Sequence, residues 1–345
     1  MSNLISFYSP VATITKDEEK ARKAKMSIII ERYKDKVSSL PKNVDHDLCK
    51  YKGFWHFHGF WYHSKADFSI EAIMALQDDF QALPTDVFLA SHPKSGSTWL
   101  KALAFAIINR TKFKTDHDPT HPLLTVSPHD CVPFMESESF LNNPSYANGL
   151  MATHIPYTSL PESIITSECR IVYLCRNPKD VIVSYWHFLN KLKDDDSTPT
   201  KLDDAFELFS RGMSPYGSFW DHVIGYYKAS LDRPGKVLFL KYEDLKKHPE
   251  NEVKKLAKFV GNPFTEEEVF DGSVQKIIQL CGFENLNKLV NKKRKKTPKV
   301  LSDDIYYRKG VVGDSVNYLT SQMVQTLDKI TKEKCGTLGI SFEAT

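Results

Sequence analysis

The sequence predicts a three-layer α/β protein, a central and mainly parallel sheet flanked by helices, with a P-loop-like turn at one strand end. Three observations predict it. Strand-like and helix-like stretches alternate through the middle of the chain, as βαβ units do. The apolar runs VFLA (87–90) and VLFL (237–240) are continuous, which suits strands buried on both faces. A Lys-Ser-Gly-Ser-Thr cluster (94–98) sits between the first run and an apolar helical pattern.

The elements follow in order. Residues 1–45 read as an N-terminal tail, partly disordered or helical, and 46–345 as a single domain. DVFLAS (86–91) is a short buried strand. TWLKALAFAIINR (98–110) is a helix, because Trp99, Leu100, Leu103, Ala104, Ala106 and Ile107 recur at helical spacing. GLMAT (149–153) and RIVYLCR (170–176) are the next strands, the second followed by a helix from Lys179 to Lys191. KVLFLKY (236–242) is a fourth strand, followed by one helix through Phe259. Residues 283–311 are polar and basic and read as a long loop, of the kind that serves as a lid or binding loop. An amphipathic helix from Thr320 to Lys334 closes the chain.

Composition narrows the classes. The chain has 345 residues, 41% hydrophobic and 26% charged, enough for a sizeable core. A net charge of +3 is too small to suggest nucleic-acid binding. No apolar run is long enough to span a membrane, and the N-terminus lacks a secretory pattern. The six cysteines, Cys49, Cys131, Cys169, Cys175, Cys281 and Cys335, form no C-x-x-C pair, so a reducing, cytoplasmic setting is expected. His56, His58 and His63 have no carboxylate or Cys nearby to complete a metal site, and no metal is expected.

In parallel sheets ligands gather beyond the carboxyl ends of the strands. The segments there are His92–Trp99, Thr153–Pro156, Arg176–Asp180 and Tyr242–Asp244, all rich in polar and reactive types. Lys94 offers a point charge, Gly96 permits a tight turn, and Ser95, Ser97 and Thr98 offer hydroxyls at a helix N-terminus suited to an anion. A plain helix cap is the alternative, but one cap needs no such cluster. The Lys precedes the only Gly, so this is not a Walker A loop.

P-K-S-G-S-T-W (93–99) closely resembles the 5′-phosphosulfate loop of cytosolic sulfotransferases. R-N-P-K-D-V-I-V-S (176–184) resembles that family's 3′-phosphate motif, Y-E-D-L (242–245) its mid-chain motif, and R-K-G-V-V-G-D (308–314) its C-terminal phosphate motif. The likeness runs over residues 50–345 and looks closest to plant members. It implies a donor, 3′-phosphoadenylyl sulfate (PAPS), leaving as adenosine 3′,5′-bisphosphate (PAP), with no metal. The acceptor would be a small, largely apolar hydroxyl compound: phenolic, flavonoid, hormone-like or a desulfo-glucoside.

The resemblance also assigns roles. His154 is the general base, and Lys94 is the cation at the reacting phosphosulfate, with Ser95, Gly96, Ser97 and Thr98 around it. Arg176 and Ser184 take the 3′-phosphate, on which Arg308, Lys309 and Gly310 close. Trp99 and Phe283, the latter following Cys281 and Gly282, flank adenine, and Tyr242 contacts the base edge. Acceptor-pocket candidates are Phe134, Phe140, Tyr157, Trp186 and the stretch Phe54–Trp61, each equally able to be core. The basic run Lys292–Lys296 reads as a mobile lid attracting the anionic donor, or simply as a solvated loop. The loop Lys191–Thr200 reads as solvated and bordering the pocket mouth.

Three positions depart from the family pattern. Ala152 stands where animal members often have Lys, Ser315 where Trp is common, and 319–324 lacks the Glu of an animal dimerisation segment, so a monomer is expected. Two rival readings are a small-molecule kinase, which would need Mg²⁺ and a fuller Gly loop, and a catalytically silent PAPS-binding protein.

Overall fold

The computed structural model describes residues 16–43, 54–63, 68–113, 120–142, 148–192, 198–294 and 303–342. A small antiparallel sheet comes first: β1 (Lys42–Asn43), β2 (Phe54–Phe57) and β3 (Phe60–His63). His58 (φ 51°) and Gly59 (φ 84°) make the β2–β3 turn, and two positive φ values in a two-residue loop match the twist of the flanking strands. The aromatic stretch 54–61 is therefore a hairpin.

The central sheet has four strands: β4 (Val87–Ala90), β5 (Leu150–Thr153), β6 (Arg170–Cys175) and β7 (Val237–Lys241). Their order is β5-β4-β6-β7, and every pairing is parallel. All residues of β4 and β5 are buried. Successive side chains feed opposite layers: Phe88, Ala90, Ile171 and Tyr173 join one core, and Val87, Leu89, Val172 and Leu174 the other. Two cores on one sheet make the three layers, which agrees with the expected class. Each fully buried Leu, Ile or Phe contributes about 1.5–3 kcal/mol.

Most elements lie within a residue or two of their expected bounds. Helix Ser97–Asn109 follows β4, Pro178–Leu192 follows β6, and Ser321–Cys335, capped by Thr320, ends the chain. Two expectations are corrected. The single helix after β7 is two, Tyr242–Lys247 and Pro249–Phe259, because Pro249 has no N–H to donate and opens a new helix. The long loop at 283–311 begins as a helix, Phe283–Arg294, anchored by the buried Leu286. Residues 295–302, and Lys295 and Lys296 with them, lie outside the described residues, as do Cys49 and residues 193–197.

Residues Lys16–Ser38 form a helix whose Met26, Tyr33 and Val37 are buried in the core cluster shared with helix Ile70–Asp79. Tyr33 donates its hydroxyl to Asp78 Oδ2 at 2.7 Å. The five described cysteines are buried free thiols. Among the described residues no helix is long and apolar enough to cross a membrane.

One carboxylate fastens the C-terminal segment to the sheet. Asp180, on the first turn of Pro178–Leu192, accepts from Arg176 Nη2 (3.0 Å) and from the backbone N–H of Gly313 (2.8 Å) and Ser315 (3.0 Å). Its side chain is 1% exposed. Removing it leaves three donors without a buried acceptor. Asp180→Ala is therefore expected to cost about 3 kcal/mol in urea unfolding. A loss below about 1 kcal/mol, the worth of one ordinary hydrogen bond, would contradict this role.

Candidate active site

Parallel register sets Ala90, Thr153, Cys175 and Lys241 at one edge of the sheet, so the next residues of all four strands emerge together. A cavity of about 410 Å³ opens there. Lys94, Gly96, Ser97, Thr98 and Trp99 line it from the loop after β4. His154 comes from the end of β5, Arg176 and Ser184 from the end of β6 and its helix, and Tyr242 from the end of β7. Cys281, Phe283, Arg308, Lys309 and Gly310 complete it from the C-terminal third. Ser95 alone of the expected set does not line it. Its side chain is fully buried behind the loop, and its hydroxyl has no hydrogen-bond partner in the structure.

The loop after β4 is shaped for an anion. Gly96 is the N-cap of Ser97–Asn109 at φ 108°, and no side chain caps that helix end. No side chain competes for the first amides of this helix or for its positive dipole end, at which Ser97 and Thr98 line the cavity. Glycine is required at 96 on two counts. Positive φ strains other residues, and a Cβ would stand 2.8 Å from the Tyr242 ring. Lys94 is itself left-handed, at φ 68°. Its ammonium lies 4.2 Å from the Phe188 ring centroid. Burial, then the like charges of Lys191, Arg176 and Arg308, bring its pKa down to about 7.

His154 is clamped at three points. Its backbone N–H donates to Glu136 Oε1 (2.7 Å) and its carbonyl accepts from His222 Nε2 (2.9 Å). Its Nδ1 lies 2.7 Å from the carbonyl of Ser91, which can only accept, so Nδ1 carries the ring proton and Nε2 keeps the lone pair. Burial lowers its pKa to about 3; the Ser91 bond resists this, while Lys101, His222 and Lys94 add to it. The imidazole is neutral at any working pH.

Arg176 and Arg308 are held from behind. Arg176 donates to Asp180 and to the Val311 carbonyl (2.7 Å), and its guanidinium lies 4.5 Å from the Tyr242 centroid. Tyr242 thus sits between Gly96 and Arg176. Arg308 and Lys309 both pair with Asp314. Gly310, at φ 65°, lets Phe283 stand close, since a Cβ there would come within 2.5 Å of that ring. Trp99 packs edge-on to Tyr242 with centroids 5.5 Å apart. The Nε atoms of Arg176 and Arg308 and the Nε1 of Trp99 are buried without hydrogen-bond partners.

The acceptor-pocket expectation fares unevenly. Phe134 lines the cavity, its centroid 4.5 Å from that of His154. Phe140 is buried against Phe80, Tyr157 packs on Tyr226, and Trp186 donates to the Thr200 carbonyl; none of them lines the cavity, nor does any residue of 54–61. Phe68, His129, Phe188, Tyr216 and Tyr306 line it instead. No local signal distinguished these residues; the chain crossings that bring them together are tertiary. Asp180 and Asp314 lay inside the quoted motifs, where they read as spacing. Among the described residues no group of His, Cys, Asp or Glu is arranged to hold a metal.

Comparison with known proteins agrees with this geometry. The sulfotransferase domain family matches residues 84–339. A flavonol sulfotransferase-like protein of Flaveria bidentis is 47% identical over 312 residues, covering 88% of this chain and 98% of that one. Cytosolic sulfotransferase 5 of Arabidopsis thaliana is 42% identical over 322 residues, 90% of this chain and 97% of that one. An Arabidopsis thaliana crystal structure described as a steroid sulphotransferase superposes with TM-score 0.70 at 34% identity, covering 97% of this chain and all of that one. A mouse sulfotransferase complexed with PAP superposes with TM-score 0.59 at 26% identity, covering 82% and 94%. With strand ends, phosphate-loop geometry and sequence in agreement, the chain belongs to the sulfotransferase family.

Proposed function

We propose that this enzyme transfers the sulfuryl group of PAPS to a hydroxyl of a small, largely apolar acceptor, with His154 as general base. One observation carries the reading. A neutral imidazole with a fixed Nδ1–H and a free Nε2 borders the same cavity as three cations, Lys94, Arg176 and Arg308. The residues fit the donor. The uncapped helix end and Lys94 suit a phosphosulfate, and the unpartnered Nε atoms of Arg176 and Arg308 suit a further phosphate. The solved mouse relative with PAP supports the same donor.

When bound, PAPS supplies an activated sulfuryl group on a good leaving phosphate. The chain's own groups then do three things. His154 Nε2 takes the acceptor's hydroxyl proton as the oxygen attacks. Lys94 and the loop amides stabilise negative charge growing on the departing oxygen, a task for fixed cations in a dry site. Arg176, Ser184 and the Arg308–Gly310 segment hold the nucleotide so that attack is in line. Ala152 offers no charge at its position, so Lys94 carries that load.

For the acceptor, the rings of Phe134 and Tyr216 stand 4.5 and 5.7 Å from the His154 ring, and Phe68, Phe188 and Tyr306 extend the same wall. Flat faces favour a planar phenol. Relatives named flavonol sulfotransferases, at 44–47% identity, support a flavonoid-like compound. Relatives named cytosolic support action in the cytoplasm, and we propose a monomer.

Incubation with labelled PAPS and a panel of flavonols, simple phenols, hydroxysteroids and desulfo-glucosides should give sulfated flavonol. His154→Ala should lower kcat by about 10²–10⁴ while PAP affinity, read by calorimetry, changes little. Unaltered turnover in that variant would remove His154 from its role, and no transfer to any acceptor would favour a silent binding protein.

Lys94 predicts a pH dependence. With the amine at about 7 in the empty site, it is charged below that pH and neutral above it. A bound anion favours the ammonium and raises its pKa. PAP binding should therefore take up a proton above pH 7, and affinity should fall by up to about tenfold per pH unit there. Calorimetry in buffers of different ionisation heat measures the uptake. A PAP affinity flat from pH 6 to 9 would contradict it.

A further inference from the structure

Lys101 lies on helix Ser97–Asn109, three residues beyond Thr98 and so on the same face. It is fully buried. Its Nζ is 3.2 Å from His129 Nδ1 and 3.2 Å from the centroid of Phe134. The other ring nitrogen, His129 Nε2, is 2.9 Å from Thr98 Oγ1. Thr98, His129 and Phe134 all line the cavity, whereas Lys101 does not. A lysine amine is thus buried behind the loop 94–98, meeting the cavity lining at His129 and Phe134.

The donors and acceptors in this chain have a direction. In its ammonium form Lys101 has three N–H groups and no lone pair, and His129 Nδ1 then accepts from it. Neutral imidazole has one proton, which is then on Nε2. Nε2–H donates to Thr98 Oγ1. The hydroxyl, its lone pair so engaged, keeps its own proton to donate elsewhere, and Thr98 faces the cavity. Buried Glu136, whose Oε1 holds the His154 N–H, favours the ammonium against the burial that lowers the Lys101 pKa, while burial pushes its own carboxyl up to about 7. His129 is fixed in turn by its backbone N–H bond to Ser127 Oγ (3.3 Å).

We propose that Lys101 and His129 are positioning residues: they form a polarised relay that turns the Thr98 hydroxyl proton toward the anion bound in the cavity. No proton is transferred along it. The relay preorganises one donor, so that the hydroxyl does not have to reorient when the anion enters. The inference rests on the reading that the loop 94–98 holds the phosphosulfate end of the donor.

Two measurements test it, with PAP as the probe. Nitrogen-15 NMR of the unaltered chain labelled at histidine should find His129 as the Nε2–H tautomer, with and without PAP; an Nδ1–H tautomer overturns the relay. A double-mutant cycle follows. Lys101→Met should weaken PAP binding about tenfold when Thr98 is present, and by less than about twofold in a Thr98→Val background, because the hydroxyl it orients is gone. Thr98→Ser should retain the Lys101 dependence. Equal losses in both backgrounds overturn the relay. If Lys101→Met alone does not fold, Lys101→Met with Glu136→Gln removes both buried charges and serves in the same cycle. An unaltered chain that fails to bind PAP would sink the donor reading itself; one that binds PAP but shows additive losses would sink only the relay.

Discussion

The Asp180 carboxylate is the joint on which the nucleotide end of the site depends. It accepts from Arg176 at the end of β6 and from two backbone amides of the segment 313–315. Arg308 lies just before that segment, so the same carboxylate holds one guanidinium and docks the loop that carries the other. Asp314 repeats the device on Arg308 and Lys309. Each acid holds its arginine at one terminal nitrogen, Arg176 at Nη2 and Arg308 at Nη1. Neither ion pair is simply a stabilising contact. Buried pairs lose much of their Coulomb energy to desolvation, and their value here is orientation.

The cavity is consequently a place of concentrated and imperfectly neutralised positive charge. Among the described residues no carboxylate pairs with Lys94, and its pKa is depressed by burial and by the neighbouring cations. Such an arrangement is costly when empty and is relieved by a polyanion. Such a site favours an anionic ligand over a neutral one. His154 is treated in the opposite way. Its backbone is fastened by Glu136 and His222 and its Nδ1–H by Ser91, so one nitrogen of a neutral ring is left for chemistry. The cations and the imidazole come from separate strand ends, and the sheet brings them together.

The sequence carried the sheet and its ligand edge, because buried parallel strands are continuous apolar runs and ligand residues follow them directly. It also carried the turn at Gly96 and the cation set, whose residue types and spacing are local. It missed the break at Pro249, although a proline with no N–H to give was visible there. It missed helix Phe283–Arg294, because a polar, lysine-rich stretch reads as loop by composition, whereas the buried Leu286 anchors it in the fold.

By itself, then, the sequence determined the architecture, the anion-binding loop and the identity of the charged groups, since each depends on residues adjacent in the chain. Tertiary structure alone decided which rings wall the acceptor end. Phe68, Phe188, Tyr216 and Tyr306 come from four separate segments, and an aromatic side chain looks alike in sequence whether it fills a core or faces a cavity. Tertiary structure also decided the tautomer of His154 and the burial of Lys101. A proton's place on an imidazole is set by whichever acceptor the fold brings beside it, and no run of neighbouring residues encodes that.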